Sequence, residues 1–288
     1  MLAYDIRGGG PGLVLLPGIG GCSAESWGTL PAELAAGHTV LLPELPGSAL
    51  SGLPAGPLRL SAVADQVVET ARAAGLGRFV IAGTSLGAAV AVSVAARHPD
   101  RIRGLFLLSG FARPGTPLWL GLEMWASLHA RGGNRLNSFL ASLFFSKDHL
   151  ATLTPAAFAR LTGHLATSTP GTAQQIMLAL GVDVRADLAR ITAPTLVVAA
   201  MADRFVTPEH SVELADGIPG ARLAAVKGGH AAPYEQPERT LEILTGFLHD
   251  VLRSPPRNSS AAAAVERRAR PEPALAPALA GQRPPHRR

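Results

Sequence analysis

Cysteine, charge and long apolar runs are all scarce in this sequence, and each shortage excludes something. The single cysteine, Cys22, cannot form a disulfide within the chain, which favours a reducing compartment. Only 16% of the 288 residues are charged and 47% are hydrophobic, as is typical of a sheet buried on both faces. The longest apolar stretch, 86–96, is too short to span a membrane, and no signal-peptide pattern opens the chain. We therefore expect a soluble, cytoplasmic protein without a membrane span.

Positive charge is scarce outside the carboxyl-terminal tail. The net charge is +5, but eight of the 26 lysines and arginines lie in residues 253–288, among many prolines and alanines. Residues 1–252 are close to neutral and offer no basic surface, so we expect no nucleic-acid partner. The tail shows no apolar periodicity, which predicts that 253–288 is disordered.

Short apolar runs alternate with amphipathic stretches over most of the chain. The runs predict strands at 2–6, 13–16, 38–45, 79–82, 103–109, 195–202 and 221–226. Helices are predicted between them, at 26–36, 61–74, 86–97, 208–218 and 237–252. This alternation predicts an α/β fold with a mostly parallel, doubly wound sheet and helices on both of its faces.

The alternation stops between residues 113 and 183, where no strand is predicted. Helical patterns cover this interval at 118–130, 134–145, 155–166 and 173–180. We therefore expect a helical cap at 113–183, inserted into an α/β core made of 1–112 and 184–252. Aromatic residues of the cap either pack it against the core or line an apolar substrate pocket. The pocket candidates are Trp119, Trp125, Phe144 and Phe145.

A Gly-x-Ser-x-Gly motif at 83–87 stands between a predicted strand and a predicted helix. A strand that turns directly into a helix leaves no space for side chains at Gly83 and Gly87. Ser85 then occupies the tip of the turn in strained backbone geometry, with its hydroxyl facing a cleft. This pattern is typical of a nucleophile elbow, so Ser85 is the candidate nucleophile.

Two downstream residues fit the partners that a nucleophilic serine needs, which are a base and a carboxylate that orients it. His230 is the candidate base, because it follows a predicted strand within a Gly-Gly-His sequence. Asp203 also follows a predicted strand and is the candidate acid. Asp183 and Asp187 compete with it, although both lie upstream of that strand. The order Ser, Asp, His is the one expected after such an elbow.

Two backbone N–H groups are candidates for an oxyanion hole, where both donors must point at one position. Leu86, directly after the nucleophile, is expected to provide one of them. The glycine-rich loop at 17–21 is expected to provide the other, with Ile19 as the candidate and Gly20 as the alternative.

Four segments between residues 2 and 252 form a recognisable set. They are Leu-Leu-Pro-Gly-Ile-Gly-Gly (15–21), Gly-Thr-Ser-Leu-Gly (83–87), Ala-Pro-Thr-Leu-Val-Val (193–198) and Gly-Gly-His (228–230), the last followed by Glu-Gln-Pro-Glu (235–238). Together they resemble the serine hydrolases of the α/β-hydrolase superfamily. The resemblance implies an eight-stranded sheet, a cap inserted after the sixth strand, and acyl chemistry without a cofactor or a metal. Two positions depart from the family pattern, because Pro17 stands where a His is usual and Glu44 where an Asp is usual.

These residues predict a serine hydrolase that cleaves an ester, lactone or thioester of a small apolar substrate. Ser85 would attack the carbonyl, His230 would take and return the proton, and Asp203 would hold the imidazole. Two alternatives stay open. One is a non-catalytic small-molecule receptor or signalling protein on the same fold, and the other is a different serine-dependent reaction such as perhydrolysis or C–C bond hydrolysis. The sequence makes no prediction about the oligomeric state.

Overall fold

The computed structural model describes residues 1–133, 135–165 and 169–253, except for the side chains of 164 and 165. The tail that the sequence predicts to be disordered lies outside these residues, apart from Arg253, which ends the last helix. None of the described helices is both long enough and apolar enough to cross a membrane.

One sheet organises the described residues. Its strands are β1 (Tyr4–Arg7), β2 (Gly12–Leu16), β3 (Thr39–Pro43), β4 (Phe79–Thr84), β5 (Ile102–Leu108), β6 (Thr195–Ala200) and β7 (Arg222–Val226). They stand in the order β1-β3-β2-β4-β5-β6-β7, with β1 antiparallel at one edge and all other pairs parallel. The predicted α/β fold with a mostly parallel sheet is confirmed. The eighth strand that the resemblance implied is not found in the described residues, where the seven strands match the seven apolar runs.

Helices cover both faces of this sheet. Those of the described residues are α1 (Ser23–Trp27), α2 (Leu30–Leu34), α3 (Leu60–Ala73), α4 (Leu86–Arg97), α5 (Thr116–Arg131), α6 (Arg135–Phe144), α7 (Lys147–Thr152), α8 (Pro155–Leu165), α9 (Thr172–Leu180), α10 (Arg185–Leu188), α11 (Pro208–Gly217), α12 (Ala232–Glu235) and α13 (Pro237–Arg253). The single helix predicted at 26–36 is wrong. It is two helices, because Gly28 has a φ of 58° and a positive φ cannot continue a right-handed helix.

Alternate residues of each strand face opposite sides of the sheet, as the pleat requires. Leu13 and Leu15 of β2 pack in one hydrophobic cluster with α1, α2 and α13. Val14 and Leu16 of the same strand pack in another cluster with α3 and α4. Both faces of the sheet are therefore buried under helices, which explains the low content of charged residues.

An all-helical segment, α5 to α9, stands between β5 and β6, where the sequence predicts the cap. It follows the fifth strand instead of the sixth, because one fewer strand precedes it than the resemblance implied. Its buried residues Leu122, Trp125 and Leu140 belong to the same hydrophobic cluster as α3 and α4. This segment thus shares its hydrophobic core with the sheet.

Candidate active site

Ser85 lies at the carboxyl end of β4, the edge of a parallel sheet where ligands usually bind. It is the single residue between the end of β4 and the start of α4, with φ 55° and ψ −124°. Residues with a side chain rarely adopt a positive φ, so the turn holds Ser85 in a strained conformation. Its N–H donates to the Leu108 carbonyl at 3.2 Å, and the residue is buried. The strand, turn and helix predicted around the motif are confirmed.

Close backbone contacts require both glycines of the motif. A Cβ atom on Gly83 would overlap the carbonyl group of Gly87. A Cβ atom on Gly87 would lie 2.5 Å from the Pro17 oxygen and 2.8 Å from the Leu16 oxygen, a separation that Cβ atoms do not tolerate. The pairing of Leu16 with Gly83 across β2 and β4 brings the glycine-rich loop 17–21 beside Ser85. The clashes predicted at both positions are confirmed.

His230 and Asp203 lie on the two loops that follow β7 and β6. His230 Nδ1 is 2.7 Å from Asp203 Oδ2, and both side chains are buried. The other carboxylate oxygen, Oδ1, accepts hydrogen bonds from the N–H groups of Phe205 and Val206, each at 2.9 Å. Because Asp203 engages Nδ1, the second ring nitrogen of His230, Nε2, is the one left to exchange a proton.

The two competing aspartates have other partners. Asp183 forms an exposed ion pair with Arg185 at 2.6 Å, and this hydrogen-bonded partner lowers the pKa of Asp183 to about 2. Asp187 pairs with Arg190 at 3.1 Å. The structure thus brings Asp203, and neither competitor, into contact with His230.

Aromatic rings enclose the imidazole of His230. The ring centroid of Phe144 lies 5.1 Å from that of His230, and Phe205 meets it edge-on at 5.4 Å. Trp125 completes the cluster through its contacts with both phenylalanines. Phe205 is not among the residues predicted from the sequence, where its only signal is its position two residues after the candidate acid.

Ser85 and His230 line the same cavity, whose volume is about 390 Å³. Its apolar wall comes from the helical segment and includes Trp125, Leu136, Leu140, Phe144, Phe145 and Leu161. Trp119 does not line this cavity, and 42% of it is exposed. Trp119 and Trp125 are six residues apart on α5, and six residues of helix turn through about 600°, which places the two side chains on different faces.

The loop 17–21 forms the opposite wall, where Gly18, Ile19 and Gly20 line the cavity. A Cβ atom on Gly18 would lie 3.3 Å from the Ser85 Cβ, so the loop backbone passes directly over the elbow. The Gly20 N–H already donates to Gln175 Oε1 at 2.8 Å. The Leu86 N–H belongs to the first turn of α4, where amides have no partner within the helix. Ile19 is therefore a better candidate than Gly20 for the second oxyanion donor.

Residues 144–146, which run from the last residue of α6 to the residue before α7, are hydrogen-bonded to both loops that carry the His–Asp pair. Ala231 N–H and Arg204 Nη2 donate to the first two carbonyls of this segment, at 2.9 and 3.1 Å. The Glu235 carboxylate accepts from the N–H of Ser146 at 2.7 Å and from the N–H of Gly229 at 3.1 Å. This part of the cavity wall is thus hydrogen-bonded to the residue after His230 and to the residue after Asp203, and Glu235 links it to the residue before His230.

Glu44, one of the two residues that depart from the family pattern, is buried directly after β3. Both of its carboxylate oxygens accept from the Ser23 N–H at 3.1 Å. Burial raises the pKa of Glu44 to about 7, although this hydrogen bond acts in the opposite direction. In the described part of the chain, no group of three or more His, Cys, Asp or Glu side chains is arranged to hold a metal ion.

The sequence matches a family model described as the alpha/beta hydrolase fold over residues 11–237. The sheet order and the strand–turn–helix geometry at Ser85 agree with this match. The chain therefore belongs to the α/β-hydrolase family, in which a serine nucleophile and a catalytic triad are typical.

Similar proteins of this family are hydrolases. The chain is 32% identical over 254 residues to the pyrrolizixenacetamide deacetylase of Xenorhabdus hominickii. The aligned region covers 86% of this chain and 94% of that protein. It resembles the structure of a thermophilic esterase from Thermogutta terrifontis, with a TM-score of 0.77 and 26% identity over 87% of this chain and 93% of the esterase. It also resembles the enol-lactonase of Burkholderia xenovorans LB400, with a TM-score of 0.75 and 26% identity over 86% and 96% of the two chains. The family is thus one of hydrolases that act on small molecules.

Proposed function

We propose that this protein is a serine hydrolase of ester-type bonds, with Ser85 as nucleophile, His230 as general base and Asp203 as the acid that orients it. One observation carries the proposal. Ser85, in its strained turn, lines the same cavity as His230, whose Nδ1 is held 2.7 Å from a buried carboxylate. A serine, a histidine at the same cavity and a carboxylate paired with that histidine are the three groups that acyl transfer uses as nucleophile, base and orienting acid.

The reaction runs in two halves. In the first, Ser85 Oγ bonds to the substrate carbonyl carbon while its proton passes to His230 Nε2, and Asp203 stabilises the resulting imidazolium. The oxyanion accepts hydrogen bonds from the N–H groups of Leu86 and Ile19. The intermediate then collapses, the alkoxide or thiolate leaves with the proton from His230, and an acyl-enzyme remains. In the second half, water gives a proton to His230 and bonds to the acyl carbon, and the acid is released as the bond to Ser85 Oγ breaks and that oxygen takes the proton back.

The apolar wall of the cavity supports a small substrate with an apolar acyl or aromatic part. Leu136, Leu140 and Leu161 contribute to this wall and offer no hydrogen bonds to a polar chain. A cavity of about 390 Å³ is at the lower end of the usual range for small-molecule sites. Esters, lactones and thioesters of this size are the proposed substrates, and the similarity to an esterase and an enol-lactonase supports the same class.

Deacetylation of an amide is the second candidate, because the similar protein from Xenorhabdus hominickii is a deacetylase whose name identifies an acetamide. The same residues would serve, with His230 protonating the leaving amine instead of an alcohol. A matched pair of an acetate ester and an N-acetyl amide of one aromatic group separates the two candidates by their kcat/KM values.

The arrangement of the chain supports treating residues 113–183 as a substrate-binding cap on a core of 1–112 and 184–252. The single cysteine supports the further proposal of a cytoplasmic location, since the chain cannot rely on internal disulfides.

The test is a chain-length series of p-nitrophenyl esters with the wild type, Ser85→Ala and Ser109→Ala. Removing the nucleophile should lower kcat by about 10⁴-fold or more. Ser109 is the matched control, since it is a similarly buried serine directly after β5 with a positive φ of 47°. Its hydroxyl has no hydrogen-bond partner among the described residues, so Ser109→Ala should keep its turnover.

Hydrolysis by Ser85→Ala at the wild-type rate would contradict the mechanism. A wild type that binds an apolar ester without turnover would instead favour the receptor alternative. Turnover that needs added hydrogen peroxide, or that cleaves only a C–C bond, would favour the other serine-dependent reactions.

A further inference from the structure

Gln175 of α9 is fully buried, and its amide joins the helical segment to two loops of the core. Its Oε1 accepts from the Gly20 N–H at 2.8 Å. Its Nε2 donates to the Pro46 carbonyl at 2.9 Å and to Ser48 Oγ at 3.0 Å. Both hydrogens of the amide nitrogen are thus used, and the oxygen holds one backbone amide of the loop 17–21.

The hydrogen-bond partners determine the orientation of this amide. If the amide were turned over, its nitrogen would face the Gly20 N–H and its oxygen would face the Pro46 carbonyl. Two donors would then oppose each other at one end and two acceptors at the other, around a side chain that is fully buried. The observed orientation is therefore the only one that satisfies all the groups.

The start of α9 also contacts the same two loops directly, through one backbone hydrogen bond and through the side chain of Thr172. The Gly171 N–H donates to the Gly47 carbonyl at 3.0 Å. Gly20 has a φ of 73°, and a Cβ atom there would lie 3.1 Å from Thr172 Oγ1. Gln175 therefore projects from a helix whose first turn is itself fixed in place.

The loop 17–21 contains no side chain that could hold it from within. Its sequence is Pro-Gly-Ile-Gly-Gly, which offers no polar side chain, and glycine restricts its own backbone least of all residues. The position of the Ile19 N–H therefore depends on contacts from outside the loop. The hydrogen bond from Gly20 to Gln175 fixes the peptide group directly after Ile19.

We infer that Gln175 is a positioning residue for the oxyanion hole. It holds the loop 17–21 so that the Ile19 N–H points at the developing oxyanion beside Ser85, and it touches neither substrate nor reacting atoms. The inference rests on the proposed function, since it concerns the same Ser85 chemistry. It also means that the helical segment, besides forming the apolar wall, holds a part of the catalytic machinery.

Loss of this positioning should affect the transition state more than the bound substrate. An oxyanion donor acts on charge that appears only in the tetrahedral state, so a displaced donor lowers kcat and leaves KM nearly unchanged. Removal of a whole donor costs about 10²–10³ in kcat, and a donor that is displaced but present should cost about 10–100-fold.

The experiment compares Gln175→Met, which has similar length and no amide, with Thr70→Val as a control for stability. Thr70 is buried in α3, away from the cavity, and its hydroxyl accepts from the Leu2 N–H at 2.9 Å. For each variant we would measure Tm, kcat and KM with p-nitrophenyl butyrate, and inhibition by two ketones. An alkyl trifluoromethyl ketone adds to Ser85 Oγ, its carbonyl oxygen becomes the oxyanion, and the serine proton passes to His230. The matching methyl ketone occupies the cavity without adding.

We expect Gln175→Met to lose about 10–100-fold in kcat and a similar factor in affinity for the trifluoromethyl ketone. Its KM and its affinity for the methyl ketone should change less than about threefold. Thr70→Val should lose stability and keep kcat. Unchanged kcat and ketone affinity in Gln175→Met would overturn the inference, and so would an equal loss of affinity for both ketones.

Gln175→Glu keeps the inference testable if the methionine variant does not fold. When protonated, the new carboxyl can accept from Gly20 and donate to Pro46, and when ionised it places a negative oxygen against a carbonyl. Its kcat relative to the wild type should therefore fall as pH rises, and a ratio independent of pH would overturn the inference. Ser85→Ala in the same assay tests the proposed function separately, because wild-type turnover in that variant would remove the function itself.

Discussion

Position 83 is where the absence of a side chain lets β4 turn into α4 within one residue. A Cβ atom there would overlap the Gly87 carbonyl, and a backbone contact cannot be relieved by a change of rotamer. Gly83→Ala should lower the free energy of unfolding by at least about 2 kcal/mol, measured by urea denaturation. Gly246→Ala is the matched control, since a Cβ atom there meets nothing within 4 Å and alanine favours the helix by about 1 kcal/mol. Equal stability of Gly83→Ala and the wild type would contradict this account.

Residues whose roles depend on local geometry were predictable from the sequence. The motif at 83–87 specifies its own turn, because the glycines and the serine that need one another are neighbours in the chain. Gln175 could not be found in this way, since its partner Gly20 is 155 residues distant in the chain. A glutamine on an amphipathic helix looks like a surface residue until the packing of that helix is known.

At the scale of elements, Glu235 joins the helical segment to the loop that carries His230. Its carboxylate accepts from two backbone N–H groups and from Ser146 Oγ at 2.5 Å. Glu235→Ala should lower the free energy of unfolding by at least about 2 kcal/mol, since three hydrogen bonds to its carboxylate are lost. KM for the proposed esters should also rise, because the segment 144–146, which includes Phe144 and Phe145 of the cavity wall, loses its hydrogen bonds to Glu235. Urea denaturation and steady-state kinetics measure the two effects.

The control for this change is Glu238→Ala, an exposed glutamate in the first turn of α13. It removes the same charge nearby and should cost well under 1 kcal/mol, with KM unchanged. If both variants behave alike, the effect of Glu235 comes from its charge alone and the role of its hydrogen bonds is wrong.

Long amphipathic helices were predictable within about two residues, as α5 and α9 illustrate. The short helices α7, α10 and α12, of six, four and four residues, were not predicted. A segment of four to six residues is too short to display the helical repeat of apolar positions. Trp119 was assigned to the pocket with Trp125 by residue type alone. The helices and loops that pack against α5 determine which of its faces lines the cavity. These contacts cannot be read from the sequence.

At the scale of the whole molecule, Glu44 makes stability depend on pH. The carboxyl has an ordinary pKa of 4.5 in the unfolded chain, and burial raises it to about 7 in the folded protein. Between these values the folded protein keeps a proton that the unfolded chain has lost. The free energy of unfolding therefore falls as pH rises from about 4.5 to 7 and levels off above that range.

Glu44→Gln keeps the size of the side chain and removes its titration. The variant should lose this slope and exceed the wild type by about 1–3 kcal/mol in free energy of unfolding at pH 8. Chemical denaturation at pH 5, 6, 7 and 8 measures both effects. Glu33→Gln, on an exposed part of α2, is the control and should keep the slope. A full wild-type slope in Glu44→Gln would show that another group causes the dependence.

The hydrogen bond between Ala231 and Phe144 makes the Ala231 amide a reporter of the contact between the cavity wall and the loop that carries His230. Ala231 directly follows His230, and its N–H donates to the Phe144 carbonyl at 2.9 Å. Deuterium from solvent reaches a hydrogen-bonded amide only when that bond opens. The exchange rate at Ala231 therefore records how often the aromatic wall separates from the histidine loop, and a ligand that fills the cavity changes that frequency without any spectroscopic label.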